Sequence, residues 1–180
     1  MQVDRDEAGD LMDRASANED GAFGCLAEAM QDGLYRFAVA QGLSGPDAAD
    51  AVQETLLRAF RGRGRWRRGG DAVGWLYGIA MNVVREFRRK AKRYGRLAPI
   101  GPDVLAGPGP NDDETGVDLA RLGRAMTALP DRQREAVACR FLRRLSVRET
   151  AAAMGCAEGT VKAAVHAALE NLRKQLGEEP

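Results

Sequence analysis

Between positions 63 and 94, flat rings alternate with cations: Trp66, Trp75, Tyr77, Phe87 and Tyr94 stand among Arg63, Arg65, Arg67, Arg68, Arg85, Arg88 and Arg89. Rings that stack on unpaired bases, beside guanidiniums that meet phosphates, supply the chemistry of single-stranded nucleic acid binding. The same run reads as a solvated Arg-rich helix face, with Trp75 and Tyr77 as core residues. Charge distribution favours the first reading. Residues 1–57 hold 3 Lys/Arg against 12 Asp/Glu, residues 58–98 hold 13 against 2, and residues 99–180 hold 11 against 12, in a chain of net charge +1. A cationic block of this kind is a footprint for a polyanion, because each cation near a phosphate releases condensed counterions.

A second constellation lies at 146–170. Ala151, Gly155 and Val161 supply a small residue, a residue tolerant of left-handed backbone, and a branched one, spaced as in two helices crossing through a tight turn. An ordinary helical hairpin shares that spacing. Glu158-Gly-Thr160-Val-Lys162 adds polar groups at the start of the last helix, where a recognition helix meets base edges. Other chemistry is poorly supplied. His166 has no partner at metal spacing, and Cys25, Cys139 and Cys156 are far apart, reading as small buried thiols in a reducing compartment. With no nucleophile–base pair, paired carboxylates or phosphate loop, neither catalysis, metal nor cofactor is expected. No stretch approaches the ~18–20 apolar residues of a membrane span, and the acidic N-terminus lacks signal-peptide features, so a cytoplasmic protein without membrane insertion is expected.

The elements that position these groups are helices, because apolar spacing of 3–4 dominates and no alternating run supports a sheet. A first helix is predicted from about Glu19 to Gln41, ended by Gly42. Ser44-Gly-Pro46-Asp47 starts a second. It turns Val52, Leu56, Ala59 and Phe60 inward and leaves Asp47, Asp50, Gln53, Glu54 and Arg58 outside. A basic loop, Gly62 to Gly70, precedes a third helix capped by Asp71, with Val73, Leu76, Ala80, Val83, Val84 and Phe87 as its apolar stripe. Pro, Gly and acidic residues then mark a flexible linker over 97–117. Beyond it come a short helix ending at Leu129, a helix from about Arg132 to Arg144 with Val137 and Phe141 inward, a capping box at Ser146 and Glu149, and a last helix from Glu158 to Leu176. The expected fold is all-α, with two small helical domains over 19–96 and 118–177, the second a helix-turn-helix, preceded by an acidic tail over 1–18.

At this level the residues resemble a family. The run from Asp47 to Phe60 resembles the second conserved region of bacterial sigma factors, and Gly74 to Arg89 is similar to the helix that follows it. Ala128-Leu-Pro130 and Glu158-Gly-Thr-Val-Lys162 resemble region 4 of the same family. Order, linker and size resemble the extracytoplasmic-function (ECF) group, which keeps only those two domains. The resemblance implies a protein that binds core RNA polymerase, directs it to a promoter and helps open the duplex. It implies that Asp47, Asp50, Gln53, Glu54 and Arg58 meet the β′ clamp helices, with the β flap as a further polymerase contact. For the −10 element it implies Arg63, Arg65, Trp66, Arg67, Trp75, Asn82, Arg85, Arg88 and Arg89. For the −35 element it implies Arg144, Arg148, Thr160, Lys162 and His166, and an anti-sigma factor is an expected partner. Two departures stand out: Ala163, Ala164 and Ala167 replace usual donors on the recognition helix, and Met81 stands where Arg is common. A polymerase-independent helix-turn-helix regulator would account for 118–177 but leave Asp47–Phe60 and the aromatic-basic block unexplained.

Overall fold

The computed structural model describes residues 4–105 and 119–177, and every regular element among them is helical. The first of these, α1 (Arg5–Ser16), occupies the segment expected to be an acidic tail. Ala8, Leu11, Met12 and Ala15 recur at helical spacing and are buried, while Asp6, Glu7 and Asp10 stay outside. Four small or flexible apolar residues among many acids gave too faint a stripe to read, yet they fill the groove beside α2 (Ala22–Ala40) and α4 (Ala72–Arg93).

Helix α3 (Gly45–Gly62) begins where Ser44, Pro46 and Asp47 predict. The Ser44 hydroxyl accepts from the Asp47 amide at 3.3 Å and donates to its carboxylate at 3.0 Å. Helices α2, α3 and α4 enclose Leu26, Leu34, Phe37, Leu76, Met81 and Val83, all buried, with Phe37 edge-on to Tyr77 at 5.4 Å. Phe60 departs from its expected place. It is 43% exposed, lying edge-on to Phe23 at 5.3 Å under the Arg63 guanidinium, because Ala59 takes the inward position at the end of α3.

The linker is partly packed. Ile100 is buried with Ala125, Met126, Leu129 and Val137, and its amide donates to Thr127 Oγ1 at 3.0 Å. A short α5 (Pro102–Leu105) follows, and the remainder of the expected linker, 106–117, lies outside the described residues. In the second module come α6 (Leu119–Ala128), α7 (Asp131–Val137), α8 (Val147–Met154) and α9 (Glu158–Leu176). Between α7 and α8 the chain makes a π-helical turn, Ala138–Leu142. The wider turn shifts the inward face by one position. Cys139 is buried and Phe141, expected inside, is 52% exposed. The capping box at Ser146 and Glu149 forms, and Gly155 ends α8 with φ 65°, the left-handed value that the turn requires.

Both modules share one core. Ala136, Leu145, Ala151, Met154 and Val161 from the second pack with the α1–α4 residues of the first, and α4 lies along α8.

Gly123 admits no side chain without displacement. A Cβ there would lie 2.2 Å from the Ile100 carbonyl oxygen, so the helix sits directly on the linker backbone. Gly123→Ala should therefore destabilise the protein by about 1–3 kcal/mol through overpacking, although Ala is the better helix former. Urea titration monitored by circular dichroism checks this, and equal or greater stability would mean that the linker gives way freely.

Candidate nucleic-acid interface

Helix α4 is long enough to carry two functions on opposite faces. Its apolar stripe enters the core, and Met81, at the position where Arg is common in the family, is fully buried there. The other face presents Trp75, Asn82, Arg85, Arg88 and Arg89, of which Asn82 and Arg89 are exposed and the rest half-buried. Trp75 meets Trp66 of the preceding loop edge-on, ring centroids 5.6 Å apart. Arg65 and Arg67 are exposed on the same loop, while Arg63 donates to the Phe60 carbonyl at 2.8 Å and to Asn18 Oδ1 at 3.0 Å. Of the expected −10 residues, Arg65, Trp66, Arg67, Trp75, Asn82 and Arg85 line one wall of a cleft, whereas Arg63 turns back to α1 and α3, Arg88 lies at a separate small cavity beside Gln41 and Arg134, and Arg89 is exposed outside the cleft lining.

The opposite wall is the second module. A cleft of about 930 Å³ separates Trp66, Trp75, Asn82 and Arg85 from Arg148 and Ala152 of α8. At its edge the walls are joined by charge. Arg85 forks onto Glu135 at 2.7 and 2.8 Å, and Glu135 is buried. Arg85 and Arg132 also donate to the Met154 carbonyl at 3.2 and 3.1 Å, where α8 ends and its dipole is negative. Arg88 donates to Asp131 at 2.9 Å, and Arg134 reaches the same carboxylate oxygen at 2.6 Å. Burial would raise the Asp131 pKa, but the hydrogen bonds from Arg88 and Arg134 outweigh it and hold the group below the usual carboxylate range. Arg5 of α1 pairs with Asp71 at 3.4 Å and with Glu149 of α8. Burial, with Glu149 nearby, pushes the Asp71 carboxyl up.

The exposed face of α3 is smaller than expected. Arg58 is held within the protein, by the Glu86 carboxylate at 2.8 and 2.9 Å and by Glu54 at 2.6 Å, and its hydrogen bond keeps Glu86 below the usual carboxylate range. Asp47 is tied to Ser44. Asp50 and Gln53 remain open to solvent, joined by Leu57, 41% exposed, which the sequence reading did not single out. Its spacing of 3–4 from Gln53 and Glu54 was the available signal.

On α9, Thr160, Lys162 and His166 are all exposed, with His166 3.5 Å from Glu170. Arg148 is exposed on α8, where it lines the cleft, and Arg144 is exposed at the turn with φ 52°. Val161 and Ala168 face the core. Of the cysteines, Cys139 is buried, its thiol pushed up to about 12 by that burial, whereas Cys25, expected to be buried, is exposed. Among the described residues no helix is long and apolar enough to cross a membrane.

This arrangement has known counterparts. The family model for Sigma-70 region 2 matches residues 26–94 and that for Sigma-70, region 4 matches 125–174. The ECF RNA polymerase sigma factor BldN of Streptomyces coelicolor is 34% identical over 175 residues, 94% of this chain and 66% of BldN, just under two thirds of its length. The ECF RNA polymerase sigma factor SigM of Mycobacterium tuberculosis is 36% identical over 146 residues, 80% of this chain and 71% of SigM. Among solved structures, the sigma factor RpoE of Bartonella quintana, in complex with the anti-sigma factor NepR, matches 89% of this chain and 99% of that one, with a TM-score of 0.71 and 25% identity. CnrH, in complex with the cytosolic domain of CnrY, shares the fold at a TM-score of 0.73 and 22% identity, over 97% of this chain and 99% of that one. With both conserved regions matched in order and relatives above 30% identity along most of its length, the chain belongs to the sigma-70 family of RNA polymerase sigma factors, in its ECF group.

Proposed function

We propose that this chain is the promoter-specificity subunit of an RNA polymerase, working in the cytoplasm without catalytic chemistry of its own. The observation that carries the reading is the wall formed by Trp66, Trp75, Asn82 and Arg85 within the segment that matches region 2. Extruding a base from the duplex costs a few kcal/mol, and an aromatic-cationic wall offsets that cost by stacking and phosphate contact. Arg88 and Arg89 extend the wall along the strand. Asp50, Gln53 and Leu57 give core polymerase a mixed polar and apolar face, with Glu54 at its edge, and Asp47 and Arg58 shape α3 from within. The −35 element is met by Thr160, Lys162 and His166, with Arg144 and Arg148 on backbone phosphates. An anti-sigma factor completes the set of partners, as one does for RpoE of Bartonella quintana.

Run-off transcription with core polymerase, followed by mapping of start sites, tests the reading. Transcription should start at defined promoters with this chain present and be absent without it. Binding to operators with no dependence on polymerase would replace the reading by that of a helix-turn-helix regulator.

The α3 face gives a narrower expectation. Asp50→Arg combined with Leu57→Ser should weaken core binding by about tenfold or more, as at interface hot spots, with helix content unchanged. Fluorescence anisotropy with labelled protein measures it, and undiminished affinity places the polymerase contact elsewhere. Glu54 is left in place because it pairs with Arg58.

Promoter capture on this reading requires the two modules to part, so that Arg85 and Arg88 exchange carboxylate for phosphate. Glu135→Gln with Asp131→Asn should let the free chain bind single-stranded −10 DNA more tightly, with a salt dependence steeper by about 0.7 per added phosphate contact. An identical salt slope would mean that these arginines meet no phosphate.

Ala163, Ala164 and Ala167 leave α9 few donors, and a bidentate donor–base pair is worth about 1–3 kcal/mol of discrimination. Base changes in the −35 element should therefore cost the holoenzyme less than changes in the −10 element in a saturating promoter scan. Equal losses would make the alanine surface a specific reader, through contact with thymine methyl groups.

A further inference from the structure

Helix α1 lies ahead of the segment that the region 2 model matches, yet it grips the basic loop. Asp13 Oδ1 accepts the Trp66 indole N–H at 2.5 Å, and the two carboxylate oxygens lie 3.4 and 3.3 Å from the Gly69 amide. Trp66 is confined on its other sides as well. Trp75 meets it edge-on, and a Cβ on Gly70 would lie 2.9 Å from its ring. Asn18, just past the end of α1, takes the Arg63 guanidinium at 3.0 Å. With its indole anchored inward, the loop leaves Arg65, Arg67 and Arg68 exposed.

A loop containing Gly64, Gly69 and Gly70 has many conformations to lose when it meets a strand. Fixing it in advance removes that loss from the binding step. A hydrogen bond to a carboxylate is charge-assisted and stronger than one between neutral groups, and α1 holds Asp13 firmly because Leu11, Met12 and Ala15 beside it are buried. We infer that Asp13 is a positioning residue for promoter capture: by holding the Trp66 indole and the Gly69 amide, it sets the basic loop with its three outward arginines turned to the unpaired strand. This rests on the reading of the loop as part of the −10 surface.

The test uses the full chain, free and as holoenzyme, with a fluorescein-labelled fork-junction DNA taken from a promoter mapped with the parent protein. Asp13→Ala should lower fork affinity by about fivefold to tenfold, the loss expected when a few loop side chains are ordered only on binding, while core affinity and the thermal midpoint stay near the parent values. Asp13→Asn keeps a side-chain carbonyl for the indole N–H and should recover most of the affinity. In a Trp75→Phe background, where Trp66 is the remaining tryptophan, Asp13→Ala should shift the emission and increase acrylamide quenching, and Asp13→Asn should reverse both. Arg65→Ala with Arg67→Ala and Arg68→Ala separates the two claims. If that triple variant loses fork affinity and Asp13→Ala does not, the positioning role is overturned and the loop reading stands. If the triple variant binds like the parent, the loop reading itself fails. A joint fall in fork affinity, core affinity and thermal midpoint for Asp13→Ala would reduce Asp13 to a structural residue and overturn the inference.

Discussion

A guanidinium offers the same planar fork to a carboxylate and to a phosphate. Arg85 of α4 offers it to Glu135 of α7, and the arrangement of the two modules follows from that pairing. Glu135 is buried, and breaking such a pair by losing one partner costs about 3–5 kcal/mol because the other charge is left stranded. A phosphate that reached Arg85 would compete with Glu135 for the same fork of donors. Arg88 repeats the pattern at Asp131, on the next turn of α4. The second module thus occupies two cations of α4 and leaves the arginines of the loop exposed.

Apolar packing backs the ion pairs. Ala151, Met154 and Val161 share a core with the α1–α4 residues, so the modules meet through a continuous apolar seam with charges at its border. Small residues line that seam: a Cβ on Gly78 of α4 would stand in ordinary van der Waals contact, 3.8 Å, with the Ala153 backbone of α8. A shallow, alanine-rich seam buries little area per residue and yields more readily than an interlock of Leu and Phe.

What was legible in the sequence was what local spacing encodes. Helices α2, α3 and α4, the Ser146–Glu149 capping box and the Gly155 turn follow from periodicity and capping chemistry, and the structure has them. The misreadings share a cause, which is that distant residues decide them. Helix α1 hides its stripe under acids and forms because α2 and α4 receive it. Phe141 turns outward because a π-helical turn shifts the register, and Ile100 is drawn out of a polar linker by the apolar faces of α6 and α7. The site is similar. Its residue types were visible, and Glu54 lies within helical spacing of Arg58, but Glu86 of Arg58, Glu135 of Arg85 and Asp131 of Arg88 lie 28, 50 and 43 positions away, and no spacing rule reaches that far.

The same logic assigns separate tasks to the arginines of the cationic block. Arg58 is bound by two carboxylates, one on α3 and one on α4, and it joins those helices. Arg63 is committed to α1 and the end of α3. Arg85 and Arg88 hold carboxylates of the second module. Arg65, Arg67, Arg68 and Arg89 are exposed. Counting cations along the sequence treats all of these alike, whereas the structure divides them into fasteners, exchangeable contacts and an exposed set. On the proposed reading, an incoming strand would meet the exposed set first, by long-range attraction, and only afterwards compete for Arg85 and Arg88. Capture on that reading would then run in two steps, in the order that the pairing of the charges sets.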